Sequence, residues 1–193
     1  MITQIIGRLV EKTPTQVVVD CNGVGYAVHI SLNTYSQIGD QEKIKLFTHM
    51  QVREDSHTLF GFHSPVERSV FLLLISVSGI GASTARTMLS SLKPQQIRDA
   101  ILSEDLNTIK SIKGIGLKTA QRVLIELKDK MMNLFDGEEI QFFGNNTIKD
   151  EALSALEVLG YSRKQSDSII NRIIQSSPDS SVEELIKEAL NKL

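Results

Sequence analysis

The chain has 193 residues, 41% of them hydrophobic, enough for one large domain or two to three small ones. No run of about 18 apolar residues is present to cross a membrane, and Met1 to Arg8 lack a signal peptide's apolar stretch, so a cytoplasmic protein with no membrane partner is expected. The net charge of -2 is unevenly spread: residues 1–64 hold 5 basic and 6 acidic groups, 65–134 hold 10 and 6, and 135–193 hold 6 and 11. A basic middle and an acidic end suggest one segment that faces phosphate and another that faces something else, such as a protein.

Residues 1–63 read as β structure. An apolar run, Val17-Val18-Val19, is followed by Asn22-Gly23 and then by alternating Val24, Tyr26, Val28 and Ile30, the pattern of a tight hairpin. A further strand alternates Ile44, Leu46, Met50 and Val52 against Lys43, Lys45, His49 and Gln51, and a last one carries Leu59, Phe60 and Phe62. Five short strands in about 60 residues suggest a small barrel of the oligonucleotide-binding (OB) type. Between the last two strands the tip Arg53-Glu54-Asp55-Ser56 sets two carboxylates side by side. On residue types alone this is a solvated turn, because neighbouring strand residues point to opposite faces and do not converge on a metal.

Pro65 breaks the β pattern, and from Val66 the apolar spacing turns helical through Val70, Leu73, Leu74 and Val77. A short phrase then occurs twice, 35 residues apart: Ser78-Gly79-Ile80-Gly81-Ala82-Ser83-Thr84-Ala85 and Lys113-Gly114-Ile115-Gly116-Leu117-Lys118-Thr119-Ala120. Each copy is a helix, a glycine turn and a second helix. The first glycine of each pair suits a positive φ, and the second leaves room for another backbone. Ile80 and Ile115 anchor the turns in the core, and the free N–H groups at the following helix N-terminus form a site for phosphate. Such a site reads backbone rather than base sequence. A single glycine after a helix is equally a common C-terminal stop. Two copies, each followed by Thr-Ala, the second flanked by Lys113, Lys118 and Arg122, favour a paired helix-hairpin-helix module that holds both strands of a duplex. Pro94 opens an intervening helix, and Thr119 to Met132 forms the last one.

Residues 135–147 contain Asp136, Gly137, Glu138, Glu139, Gly144, Asn145 and Asn146 without a period, as in a flexible acidic linker, with Phe142 and Phe143 unexplained. Three short amphipathic helices follow, at about 148–159, 163–176 and 182–193. Ser162 with Gln165 and Ser181 with Glu184 match the capping box, and Gly160 sits where the first helix should stop. A bundle of this size has a small core and suits protein binding. Cys21, the only cysteine, excludes an internal disulfide and a thiolate zinc site, and is read as a small buried residue. His29, His49, His57 and His63 lack paired-ligand spacing, so no metal or other cofactor is expected. No Gly-x-x-x-x-Gly-Lys-Ser/Thr phosphate loop is present, so the chain is not expected to hydrolyse ATP.

Taken in order, Ile6-Gly7-Arg8-Leu9, Gly23-Val24-Gly25-Tyr26, Val52-Arg53-Glu54-Asp55, Leu59-Phe60-Gly61-Phe62, both Gly-Ile-Gly hairpins, and Leu156 through Leu159-Gly160-Tyr161 resemble the RuvA family over essentially the whole chain. The resemblance implies a multidomain α+β protein: an OB-type barrel with an acidic pin (1–63), a tandem helix-hairpin-helix DNA-binding domain (64–134), the linker (135–147) and a three-helix, UBA-like motor-binding domain (148–193). It implies a non-catalytic subunit that binds four-way (Holliday) junction DNA as a homotetramer, holds it open-square, and serves branch migration in recombination, DNA repair and the SOS response to DNA damage. Phosphate contacts would come from Gly79, Gly81, Ser83, Lys113, Gly114, Gly116, Lys118 and Arg122. Glu54 and Asp55 would be the pin that repels phosphates at the crossover, and Leu156, Leu159 and Tyr161 would contact the hexameric AAA+ motor RuvB. For the two leucines, core packing is the equal alternative. An octamer on DNA and an interaction with the junction resolvase RuvC stay open.

The chain departs from the family pattern at Ala82-Ser83 and Leu117-Lys118, where lysines are common, which implies fewer cations on phosphate and a shallower salt dependence. Two rival readings remain. Helix-hairpin-helix DNA glycosylases carry a catalytic lysine where Lys118 stands and an aspartate where Asp136 lies, although that family's iron–sulfur cysteines are absent. The other rival is a general duplex-binding adaptor.

Overall fold

Five strands close a barrel: Gln4–Thr13 (β1), Gln16–Cys21 (β2), Val24–Ile30 (β3), Lys43–Val52 (β4) and His57–Phe62 (β5). The structure is a computed structural model that describes residues 1–136, 148–177 and 180–192. It divides into two units, Met1–Asp136 and Gly137–Leu193. The barrel order is β1-β2-β3-β5-β4 with β4 paired back to β1, and β3 lies parallel to β5 while the other pairs are antiparallel. The β2–β3 turn is the tight one expected from Asn22-Gly23, with φ of 55° and 91°, and Gly23 N–H donates to Asp20 Oδ1 at 2.7 Å.

The two-residue period gives β5 two buried faces. Leu59 packs in the barrel core with Val17, Val28, Ile30 and Leu46, while Phe60 and Phe62 point the other way, into the helical core. Gly61 lies on the inward face, where an added Cβ would come within 2.5 Å of Val28 Cγ1. Outside, Phe71 stacks its ring against Phe60 and Phe62 at 5.3 and 4.8 Å, joining barrel and helices in one unit. Cys21 is partly rather than fully buried, and its thiol faces the Ile6 carbonyl at 3.4 Å.

A short helix between β3 and β4, Leu32–Ile38 (α1), had no recognisable sequence period. Ser31 caps it by accepting from Thr34 N–H at 2.9 Å. The helical half comprises Pro65–Ile75 (α2), Ala82–Ser91 (α3), Pro94–Leu102 (α4), Leu106–Ser111 (α5) and Leu117–Asp136 (α6). Pro65 and Pro94 stand in first turns, where a missing N–H costs nothing. Helix α6 runs through Phe135 and Asp136, which the sequence assigned to the linker. The remainder of that linker, with Phe142 and Phe143, lies outside the described residues.

In the second unit Ile148–Val158 (α7), Arg163–Ser176 (α8) and Val182–Leu190 (α9) surround Ala152, Leu153, Leu156, Ile170, Ile173, Leu185 and Ala189. Ser162 accepts from Gln165 N–H, and Ser181 and Glu184 form a full capping box. Gly160 has φ 96°, and Tyr161 N–H returns to the Leu156 carbonyl at 3.0 Å, which ends α7. Asn191 and Lys192 follow α9 as a turn, so this helix stops before the expected end, and Leu193 lies outside the described residues.

Candidate nucleic-acid interface

The two glycine turns have the same backbone. Gly79 and Gly114 have φ of 95° and 92°, the left-handed region that disfavours any side chain. Ile80 N–H donates to Val77 O at 3.0 Å and Ile115 N–H to Ile112 O at 3.1 Å, and both isoleucines are buried. Behind each turn the helix opens with an equivalent bond, Ala85 N–H to Gly81 O and Ala120 N–H to Gly116 O, both 2.9 Å. Gly81 is the N-cap of α3 and offers no capping side chain, which leaves N–H groups of the first turn without a side-chain acceptor. Among the described residues, nothing beyond the glycines' own chain neighbours lies within 4 Å of a Cβ added at Gly81 or Gly116, so the room left by the second glycines is open.

The turns are also neighbours. A Cβ at Gly79 would lie 3.6 Å from Thr119 Oγ1, and Arg122 Nη1 donates to the Ser78 carbonyl at 3.1 Å. Arg122 also pairs with Glu126 at 3.6 Å, so this cation braces one hairpin against the other. Lys113, Lys118 and Ser83 are exposed, and among the described residues neither lysine enters an ion pair.

In the β4–β5 turn Arg53 N–H donates to Ser56 O at 2.8 Å, and Ser56 Oγ donates to Asp55 Oδ1 at 3.2 Å. Glu54 and Asp55 are exposed there and, among the described residues, in no ion pair. The root of this turn faces α3: Arg53 and Ser56 share a polar cleft with Ser83 and Arg86.

Several contacts that hold this platform were missed in the sequence. Glu67, fully buried, accepts from the Ser31 hydroxyl and from Thr34 Oγ1 at 2.6 Å, while Thr34 Oγ1 accepts from His63 N–H at 3.1 Å. The Ser64-x-x-Glu67 spacing was the available signal. Ser64 does cap α2, accepting from Glu67 N–H at 3.1 Å, but the carboxylate turns to Ser31 and Thr34 at the start of α1. Arg86 donates to Thr15 O at 3.3 Å and lies 3.1 Å from His29 Nδ1. His29 is held below its ordinary pKa by burial first and by Arg86 second, and His49 by burial first and Arg68 second.

Two expectations need correction. Leu156 is 0% exposed and belongs to the bundle core, so it presents no surface to a motor, whereas Val158, Leu159 and Tyr161 are 88%, 57% and 37% exposed. A glycosylase site also fails. Lys118 and Asp136 lie at opposite ends of α6, and 18 residues of helix separate them by about 27 Å.

A closed barrel packed beside a tandem helix-hairpin-helix defines a protein whose exposed glycine turns and lysines suit a nucleic-acid backbone. Residues 1–61 match the family model described as the RuvA N terminal domain, 71–129 the SAM-like helix-hairpin-helix tandem, and 147–193 the RuvA C-terminal domain. The chain is 54% identical to a relative from Christiangramia forsetii and 56% identical to one from Flavobacterium psychrophilum, over 100% of each chain in both cases. A relative from Cytophaga hutchinsonii is 46% identical over 98% of each chain. All three bear the name Holliday junction branch migration complex subunit RuvA. The chain belongs to the RuvA family.

Proposed function

We propose that this chain is the non-catalytic, junction-binding subunit of a branch migration complex. It binds four-way DNA as a homotetramer, holds the junction open-square, and recruits a hexameric AAA+ ATPase. One observation carries the reading: two adjacent turns of the same backbone geometry, with positive-φ glycines at 79 and 114, open onto helix N-termini beside lysines that enter no ion pair among the described residues. Paired turns grip the two backbones of a duplex arm without reading bases. Glu54 and Asp55 stand as an exposed acidic pin that repels phosphates at the crossover. The motor contacts the exposed apolar end of α7, at Leu159 and Tyr161. No described helix is long and apolar enough to cross a membrane.

A gel-shift titration tests this, with a synthetic four-way junction against a linear duplex of equal length in magnesium-free buffer with competitor DNA, and light scattering for mass. A strong junction preference from a tetramer is expected. Equal affinity for both DNAs, or a monomer, would overturn the reading in favour of a general duplex adaptor.

A further inference from the structure

The two hairpins share a backbone but not a charge. With the offset of 35 residues, Lys113 and Lys118 of the second copy fall on Ser78 and Ser83 of the first, so the first turn has no cation where the second has two. Both duplex strands carry the same charge, so the first hairpin needs another source of positive potential if both turns are to hold phosphate.

That source lies one turn along α3. Arg86 is half-buried and lines, with Ser83, a polar cleft of about 210 Å³. Across it stand Arg53 and Ser56 of the β4–β5 turn and Thr58 of β5, with His29 beside Arg86. Arg86 donates to the Thr15 carbonyl and lies 3.1 Å from His29 Nδ1, so neither contact brings it a carboxylate, and burial first and Arg86 second hold the imidazole below its ordinary pKa. Among the described residues neither arginine has an ion-pair partner, and no carboxylate lines the cleft, although Glu54 and Asp55 follow Arg53 directly at the turn's tip. Two guanidinium forks and three hydroxyls around one opening are a donor set for an anion with several oxygens.

We propose that this cleft is a phosphodiester subsite, in which Arg86 and Arg53 supply the positive charge missing from the first hairpin and seat the strand that runs from it toward Glu54 and Asp55. The proposal rests on the junction-binding reading and adds two phosphate ligands, Arg53 and Arg86, on different elements. It also gives the platform a graded field: positive at the hairpins and cleft, negative at the tip a single residue beyond.

The test is the salt dependence of junction affinity for the full chain and for R53Q, R86Q, R53Q/R86Q and S83K/R86Q, with thermal midpoints recorded for each. Removal of one phosphate-binding cation should lower the slope of log affinity against log salt by about one unit, so the double arginine variant should fall by about two. S83K should restore about one unit to R86Q, because it places a cation where Lys118 stands in the second copy. Should R86Q unfold early without its bond to Thr15, exposed R53Q alone carries the test, and an unchanged slope overturns the subsite. If inorganic phosphate raises the thermal midpoint of the unmodified chain while the DNA slopes stay unchanged, the cleft is a free-anion site and the DNA assignment falls. A chain with no junction preference in the same titration would instead overturn the reading beneath it.

Discussion

Single residues separate fold from binding within one turn. Gly114 has φ 92°, so Gly114→Val forces a branched side chain into a left-handed backbone, a strain of about 1–3 kcal/mol. Gly116 has no positive φ and open space where a Cβ would stand, so Gly116→Val should lower the unfolding midpoint less than Gly114→Val while it blocks approach of a phosphate. Junction titration and thermal unfolding of both variants check this, and normal binding by Gly116→Val would remove that glycine from the interface. At the β4–β5 tip, Glu54→Gln with Asp55→Asn should leave junction binding intact or tighter at low salt and alter branch migration by the reconstituted complex. Unchanged migration would return both residues to an ordinary turn. Deep in the same unit, Glu67→Ala leaves the Ser31 and Thr34 hydroxyls without their acceptor and should destabilise by about 1–3 kcal/mol in denaturant unfolding. Glu67→Gln keeps an amide oxygen as acceptor for one of them and should lose less.

At the scale of elements, local signals were readable and long-range ones were not. The Asn22-Gly23 turn, the two Gly-Ile-Gly hairpins, the caps at Ser162 and Ser181 and the stop at Gly160 all arise within a few residues of the amino acid that specifies them. The short helix α1 was missed because it depends on Ser31 at its start and on burial of Ile38 against the barrel, not on a run long enough to show a period. Leu156 shows the limit on the C-terminal bundle. The family resemblance put it with Leu159 and Tyr161, with core packing as the alternative for the leucines, and helical rotation turns Leu156 inward and leaves Leu159 outside. Leu156→Ala should therefore remove about 2–5 kcal/mol from a small core and unfold the bundle. Leu159→Ala should keep the bundle's helical circular dichroism and weaken capture of the hexameric motor. Full motor capture by a folded Leu159→Ala chain would move the contact elsewhere.

At the scale of the molecule, the interface between barrel and helices in residues 1–136 should be sensitive to acid. His29 and His49 both lie there, His29 beside Arg86 and His49 against the Phe71 ring at 5.6 Å, and both are held below the ordinary value of 6.5. Above pH 6.5 folded and unfolded chains leave these rings neutral, and their contribution is complete. As pH falls below 6.5 the unfolded chain takes up protons first, so stability should decline. Unfolding midpoints across this range check the sign, and the decline should flatten in a His29→Gln, His49→Gln chain.

The sequence by itself determined much of the punctuation of this protein: where the strands of the first half give way to helices, where several helices are capped or stopped, and that the same glycine turn occurs twice. Glycine conformation, capping and apolar period act over a few residues, so they are written where they operate. Only the tertiary structure decided the parallel pairing of β3 with β5, the reach of Glu67 to Ser31 and Thr34, the brace from Arg122 to Ser78, and the cleft that brings Arg53 to Arg86. The hydrogen bonds among them join residues 33 to 44 positions apart. Their partners are chosen by the closure of the barrel and the packing of Phe60 and Phe62 on Phe71, which no local pattern encodes.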